Sequence, residues 1–211
     1  MSDRNSRLPM LASSRFAHVR RVLDSQLGAI VARLLPGEYY ATGANEYITT
    51  TLGSCVSACL WDPQAQYGGM NHFLLPRRED SNASAASARH NPASYGTDAM
   101  AYLINAIVQA GGRRQHMRAK IVGGGQALPI ATPIGARNIE FARAYLQQEG
   151  IRIVGEDVGG TCSRLVRFHP LSGTATVKTL TATESHMLIE HERRSLHTLE
   201  RQPRARRLEL S

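Results

Sequence analysis

Residues 52–76 constrain the fold more than any other stretch. Leu52-Gly53-Ser54-Cys55-Val56-Ser57-Ala58-Cys59-Leu60-Trp61 is a run of small and apolar residues that stops at Asp62-Pro63. Gly68-Gly69-Met70-Asn71-His72-Phe73-Leu74-Leu75-Pro76 then leads back. Two strand-like runs about a turn signal predict an antiparallel hairpin. A four-residue loop at 62–65 would set Trp61 opposite Gln66 and Cys55 opposite His72. Facing residues share one side of the ladder, with Cβ atoms about 5 Å apart. A thiol and an imidazole so placed can act together, the imidazole lowering the effective pKa of the thiol so that a thiolate attacks a carbonyl carbon. A one-residue slip would separate them. The plainer alternative is that Cys55 and His72 merely share a hairpin, with both cysteines buried as small hydrophobes.

The rest of the chain alternates between helix and strand patterns. Phe16, Val19, Leu23, Leu27, Ile30 and Leu34 recur at spacings of three and four, which predicts an amphipathic helix over residues 15–35, ended by Pro36-Gly37. Residues 38–42 and 47–51 read as strand or loop. A stripe of Met100, Leu103, Ile104, Ile107 and Val108 predicts a helix over 95–110, with Thr97 as its cap and Gly111-Gly112 as its stop. A strand follows at 119–122, a helix at 138–149, a strand at 151–154 and a hairpin at 164–179. Without strict βαβ alternation, the expected class is α+β, with antiparallel-rich sheets and flanking helices. Three regions are expected: a basic N-terminal segment (1–36), a folded domain (37–180) and a polar, partly disordered or helical tail (181–211). Residues 1–14 and 77–94 read as irregular.

The 211-residue chain carries a formal net charge of +8. Residues 1–35 hold six arginines against Asp3 and Asp24, whereas 36–180 hold thirteen basic against ten acidic side chains. Much of the excess therefore lies ahead of the expected domain, and aromatic residues do not alternate with the arginines. Nucleic-acid binding is not expected. No window reaches the roughly 18 apolar residues of a membrane span, and the first residues lack the pattern of a secretory signal. A cytoplasmic protein is expected. Three cysteines, Cys55, Cys59 and Cys162, suit neither a disulfide framework nor a zinc site, so no metal or cofactor is expected.

Leu52-Gly53-Ser54-Cys55, Asp62-Pro63 and Gly69-Met70-Asn71-His72-Phe73-Leu74-Leu75-Pro76 together resemble the CheD family of chemoreceptor glutamine deamidases in bacterial chemotaxis. The likeness continues in Tyr95-Gly96-Thr97-Asp98-Ala99-Met100, Lys120-Ile121-Val122-Gly123-Gly124-Gly125, Ile134-Gly135-Ala136-Arg137-Asn138 and Asp157-Val158-Gly159-Gly160. It spans about residues 37–180. The resemblance implies an α/β sandwich and a Cys-His-Thr triad, which maps to Cys55, His72 and Thr49; Thr50 and Thr51 are adjacent hydroxyls. It also implies hydrolysis of receptor Gln side chains to Glu. A Cys55 thiolate would act through a γ-glutamyl thioester, with backbone N–H groups near Ser54 and Cys55 holding the oxyanion and Gly53 as backbone support. Some family members also hydrolyse receptor methyl esters.

The family associates a Gly-Gly-Ala…Met-Phe region with binding the phosphatase CheC. Here the chain reads Gly124-Gly125-Gln126-Ala127-Leu128, and Leu128 removes the aromatic anchor. The glycine run is not followed by the Lys-Ser/Thr of a phosphate cradle. Two other functions compete with the deamidase: a transglutaminase or Cys protease with the same acyl-enzyme logic, and a non-catalytic chemotaxis adaptor that binds receptors or a CheC-like phosphatase. A binding module has no need of the Cys-His-Thr trio. The helix of the basic leading segment is expected to pack on the domain, with docking to a partner or an anionic membrane surface, and so recruitment to receptor arrays at the inner membrane, as the alternative; deletion of residues 1–35 is expected to leave the chemistry intact.

Overall fold

The computed structural model describes residues 14–77, 92–126, 133–181, 183–185 and 194–195. Among the described residues, ten strands form two five-stranded sheets. The outer sheet has the order β1-β2-β4-β9-β10, from Arg20–Asp24, Ala29–Arg33, Tyr47–Leu52, Arg164–His169 and Thr174–Thr179. The central sheet has the order β3-β6-β5-β7-β8, from Tyr39–Thr42, Tyr67–Asn71, Val56–Asp62, Arg118–Gly123 and Arg152–Val158. Among the described strands, the β2–β4 and β7–β8 pairs are parallel and the others antiparallel. The expected α+β class holds.

Helices α1 (Gly96–Gln109) and α2 (Ile134–Gln148) pack on the central sheet, α1 over β3, β5 and β6 and α2 over β5, β7 and β8. The outer sheet covers the other face, where Trp61 of β5 meets Phe168 of β9 with ring centroids 6.0 Å apart. Strand β5 therefore has cover on both sides, and all seven of its residues are buried. The expected stripe of α1 is the buried one, through Met100, Leu103, Ile104 and Ile107. Its cap position falls on Tyr95 rather than Thr97, and α2 begins at Ile134, four residues ahead of the expected start.

The amphipathic helix expected over 15–35 is instead the β1–β2 hairpin. Asp24 Oδ1 accepts hydrogen bonds from Gln26 N (3.0 Å) and Leu27 N (3.1 Å), and Gly28 adopts φ +60°, so a turn closes where a helix would continue. Val22, Ile30 and Val31 favour strands, and Leu23, counted in the helical stripe, is exposed. Strand β2 then pairs in parallel with β4, so the outer sheet begins at Arg20, ahead of the expected domain boundary at 37. A buried polar cluster anchors the hairpin. Arg21 meets Glu46 at 2.7 Å, the carboxylate buried and the Arg21 side chain nearly so, and Glu46 Oε1 accepts from Tyr40 Oη (2.7 Å) and Thr42 Oγ1 (2.8 Å). Burial and the Glu46 carboxylate drive the Tyr40 phenol well above its ordinary range. The lead at 1–13, most of the 77–94 segment and most of the tail beyond 181 lie outside the described residues.

Candidate active site

Cys55 precedes β5 and His72 follows β6. Because the two strands are antiparallel, both residues stand at the same end of the central sheet, and both are completely buried. The ladder runs two residues away from the expected register. Asp62 faces Tyr67, Trp61 faces Gly68 and Cys59 faces Met70, about a loop at 63–66. The same register reappears at the Val56–Phe73 bridge. Between them the ladder opens at Asn71, whose Oδ1 takes the Ala58 N–H at 2.8 Å. Cys55 is thus not directly opposite His72, as expected, but diagonal to it across the Val56–Phe73 bridge. A shift of two preserves the face, and diagonal neighbours lie roughly 7 Å apart, within reach for a thiol and an imidazole.

That face looks into the space between the sheets, and there the outer sheet supplies the third residue. Thr50 Oγ1 lies 2.8 Å from His72 Nδ1. The expected Thr49 does not reach His72; its hydroxyl donates to Val166 O at 2.7 Å. Strand alternation accounts for the difference. In Tyr47–Leu52 the buried positions are Ile48, Thr50 and Leu52, so Thr50 points inward and Thr49 outward. Ile48 and Leu52 bracketing Thr50 at period two was the signal in the sequence that could have singled it out.

Thr50 also determines the imidazole tautomer. Its single hydroxyl hydrogen donates to Leu34 O at 2.9 Å, and a carbonyl cannot return a proton. Towards His72 the hydroxyl is therefore an acceptor, and Nδ1 carries the hydrogen. In the neutral ring this leaves Nε2 as the basic nitrogen. Leu34 belongs to the segment just after β2, so the N-terminal hairpin region contributes directly to this arrangement.

Backbone bonds hold the Gly53-Ser54-Cys55 turn. Gly53 O accepts from Gly125 N (2.8 Å), Cys55 O from Gly124 N (2.7 Å) and Ser54 O from Asn138 Nδ2 (3.2 Å). The glycine run lies against this turn because it must. Gly123 and Gly124 adopt φ +108° and +67°, and a Cβ on Gly123 would collide with the Cys55 carbonyl. Ser57, opposite His72 when the register is extended, has a buried Oγ with no hydrogen-bond partner. Sequence reading missed Thr50 as the hydroxyl in contact and Asn138 as a site residue.

The three cysteines differ in setting. Cys59 is fully buried within β5, and burial pushes its thiol up to about 12, against a smaller opposing influence of Lys120. Such a thiol stays protonated and inert. Cys162 is exposed, beyond the Asp157-Val158-Gly159-Gly160 turn. Among the described residues no group of three or more His, Cys, Asp or Glu side chains could hold a metal ion, and no helix is long and apolar enough to cross a membrane. Leu128 lies outside the described residues.

A buried Cys and His at one sheet end, with a hydroxyl on the imidazole, are the side chains a thiol hydrolase requires. Residues 74–179 match the family described as CheD chemotactic sensory transduction. The chain is 43% identical over 189 residues to a Halorhodospira halophila protein, covering 89% of this chain and 88% of that one. It is 41% identical to a protein of Vibrio vulnificus (88% of each chain) and 40% to one of Hydrogenovibrio crunogenus (88% and 96%). All three are named “Probable chemoreceptor glutamine deamidase CheD”. The chain belongs to the CheD family.

Proposed function

We propose that the protein is a chemoreceptor glutamine deamidase in which Cys55 is the nucleophile, His72 the proton carrier and Thr50 the residue that orients His72. The single observation that carries the mechanism is the Leu34–Thr50–His72 hydrogen-bond chain, because it leaves Nε2 as the base beside the segment holding Cys55. The names of the relatives support the substrate, a receptor Gln side chain.

The reaction begins as Nε2 takes the Cys55 proton and the thiolate attacks the carboxamide carbon. The resulting oxyanion needs fixed donors. With the carbonyls of Gly53 and Ser54 bound to Gly125 and Asn138, the planarity of each peptide turns the N–H of Ser54 and of Cys55 the opposite way. These backbone donors are the oxyanion candidates, which leaves the Gly53 and Ser54 expectation as one about main chain. Protonated His72 returns its proton to the departing ammonia, leaving a γ-glutamyl thioester. It then accepts a proton from water, whose oxygen attacks the thioester carbonyl; the C–S bond breaks, Glu is released, and His72 gives the proton to the leaving thiolate, which regenerates the thiol. A neutral hydroxyl cannot compensate an imidazolium as a carboxylate does, so Thr50 positions His72 more than it stabilises its charge.

The cytoplasmic portion of a receptor is the substrate in this reading, which places the enzyme at receptor arrays. Activity on receptor methyl esters would use the same thioester. The test is mass spectrometry of receptor cytoplasmic fragments after incubation with the protein or with Cys55→Ala, with and without an added primary amine. Gln-to-Glu conversion by the wild type and none by the variant is expected. Amide exchange onto the amine would favour a transglutaminase, and binding without any conversion would favour the adaptor.

A further inference from the structure

The Ile134-Gly135-Ala136-Arg137-Asn138 motif enters the site through its last residue. Asn138 is completely buried in α2, and its Nδ2 donates to two carbonyls on different segments, Ser54 O at 3.2 Å and Leu74 O at 2.9 Å. Carbonyls only accept, so both amide hydrogens are committed and the orientation of the carboxamide is determined. Ser54 leads directly into Cys55. Leu74 follows Phe73, the residue after His72, and Phe73 makes both ladder bonds to Val56, at 3.2 and 3.1 Å. One side chain therefore ties the chain entering the nucleophile to the chain leaving the base.

A second observation separates this arrangement from packing alone. The Asn138 Oδ1 is buried with no hydrogen-bond partner. A buried acceptor left unsatisfied is costly, and an apolar residue of similar shape would avoid that cost. The carboxamide is thus a group whose two donors are used and whose acceptor is a liability.

We propose that Asn138 is a positioning residue for deamidation. It holds the Ser54 carbonyl, and with it the Cys55 peptide plane, in register with the His72–Leu74 segment. Because Ser54 C=O and Cys55 N–H share one peptide plane, the same bond aims the Cys55 N–H. Loss of Asn138 then degrades attack and oxyanion stabilisation together, which lowers kcat and leaves KM nearly unchanged. This inference rests on the assignment of Cys55 and His72 under the proposed function.

The test uses the full chain and a receptor cytoplasmic fragment, with Asn138→Leu (similar shape, no donor), Asn138→Ser (one donor) and Cys55→Ala side by side. Three quantities are read: kcat and KM for Gln conversion, the pH profile of Cys55 alkylation by iodoacetamide, and the folded fraction from thermal melts. The expected result for Asn138→Leu is a fall in kcat of about 30-fold per folded molecule, with KM within about 3-fold and a displaced alkylation profile. Asn138→Ser should fall between it and the wild type, and carries the same readouts if the leucine variant does not fold. Wild-type kcat and alkylation in a folded variant would overturn the inference, as would a kcat loss that vanishes once rates are scaled to folded fraction. An inactive Cys55→Ala beside unaltered Asn138 variants would overturn this inference alone. An active Cys55→Ala would overturn the nucleophile assignment beneath it.

Discussion

Thr49 and Thr50 are neighbours of one residue type, yet the strand sends their hydroxyls to opposite faces of the outer sheet. Thr50→Val removes the acceptor for His72 Nδ1–H while nearly preserving shape, so steady-state deamidation should fall about 10- to 100-fold in kcat. Thr49→Val loses only a bond to Val166 O and should change kcat by less than about 3-fold. The reverse ranking would return the orienting role to Thr49. Of the expected site, Cys55 and His72 were legible because a turn at Asp62-Pro63 brings their segments together in any hairpin register of the right parity. Thr50 was hidden because adjacent hydroxyls look alike until alternation is read against Ile48 and Leu52. Asn138 was hidden because its partners are backbone carbonyls, which carry no sequence signature.

Among the elements, the hairpins at β5–β6 and β9–β10 and the two helices were readable from turn residues and apolar stripes, whereas β1–β2 was not. Its apolar residues happen to fall at helical spacing, and only the Asp24–Gly28 turn reveals the reversal. This changes what residues 1–35 do. They supply two strands of the outer sheet, the buried Arg21 partner of Glu46 and the Leu34 carbonyl that Thr50 requires. Contrary to the expectation of a dispensable segment, deletion of residues 1–35 should yield a chain without a cooperative thermal transition. In the full-length chain, Glu46→Ala should cost about 3–5 kcal/mol in denaturant unfolding, since it removes the buried carboxylate that accepts from Arg21, Tyr40 and Thr42. A deletion variant that melts like the intact chain would refute this.

The turn between β5 and β6 has its own pH dependence. Asp62 is buried, which opposes its charge, yet bonds from Arg113 N, Ala65 N and Gln64 N prevail and hold its carboxyl below the ordinary range. A group with a lowered folded pKa contributes its full stabilisation above the unfolded value, about 4, and loses it as pH falls through the folded value. Thermal melts should therefore show Tm decreasing as pH drops below about 4. Asp62→Asn should have a lower Tm at neutral pH and a flatter acid limb. An equally steep limb in the variant would assign the acid sensitivity to other carboxylates.

At the scale of the molecule, two sheets and a helical layer bury a Cys-His-Thr trio that neither sheet could build alone. The central sheet brings Cys55 and His72 to one end, the outer sheet reaches across with Thr50, and α2 holds the Gly53-Ser54-Cys55 turn through Asn138. Part of the basic charge lies on strands of that outer sheet, where Arg20 and Arg33 face each other across β1–β2 and are exposed. The proposed mechanism requires covalent catalysis at Cys55. Acid-quenching a mixture of the protein with a Gln-containing receptor peptide, followed by mass spectrometry, tests it most directly. The predicted result is a peptide adduct mapped to Cys55 and released by hydroxylamine, as a thioester is. Gln-to-Glu turnover with no adduct on Cys55, persisting in Cys55→Ala, would contradict it.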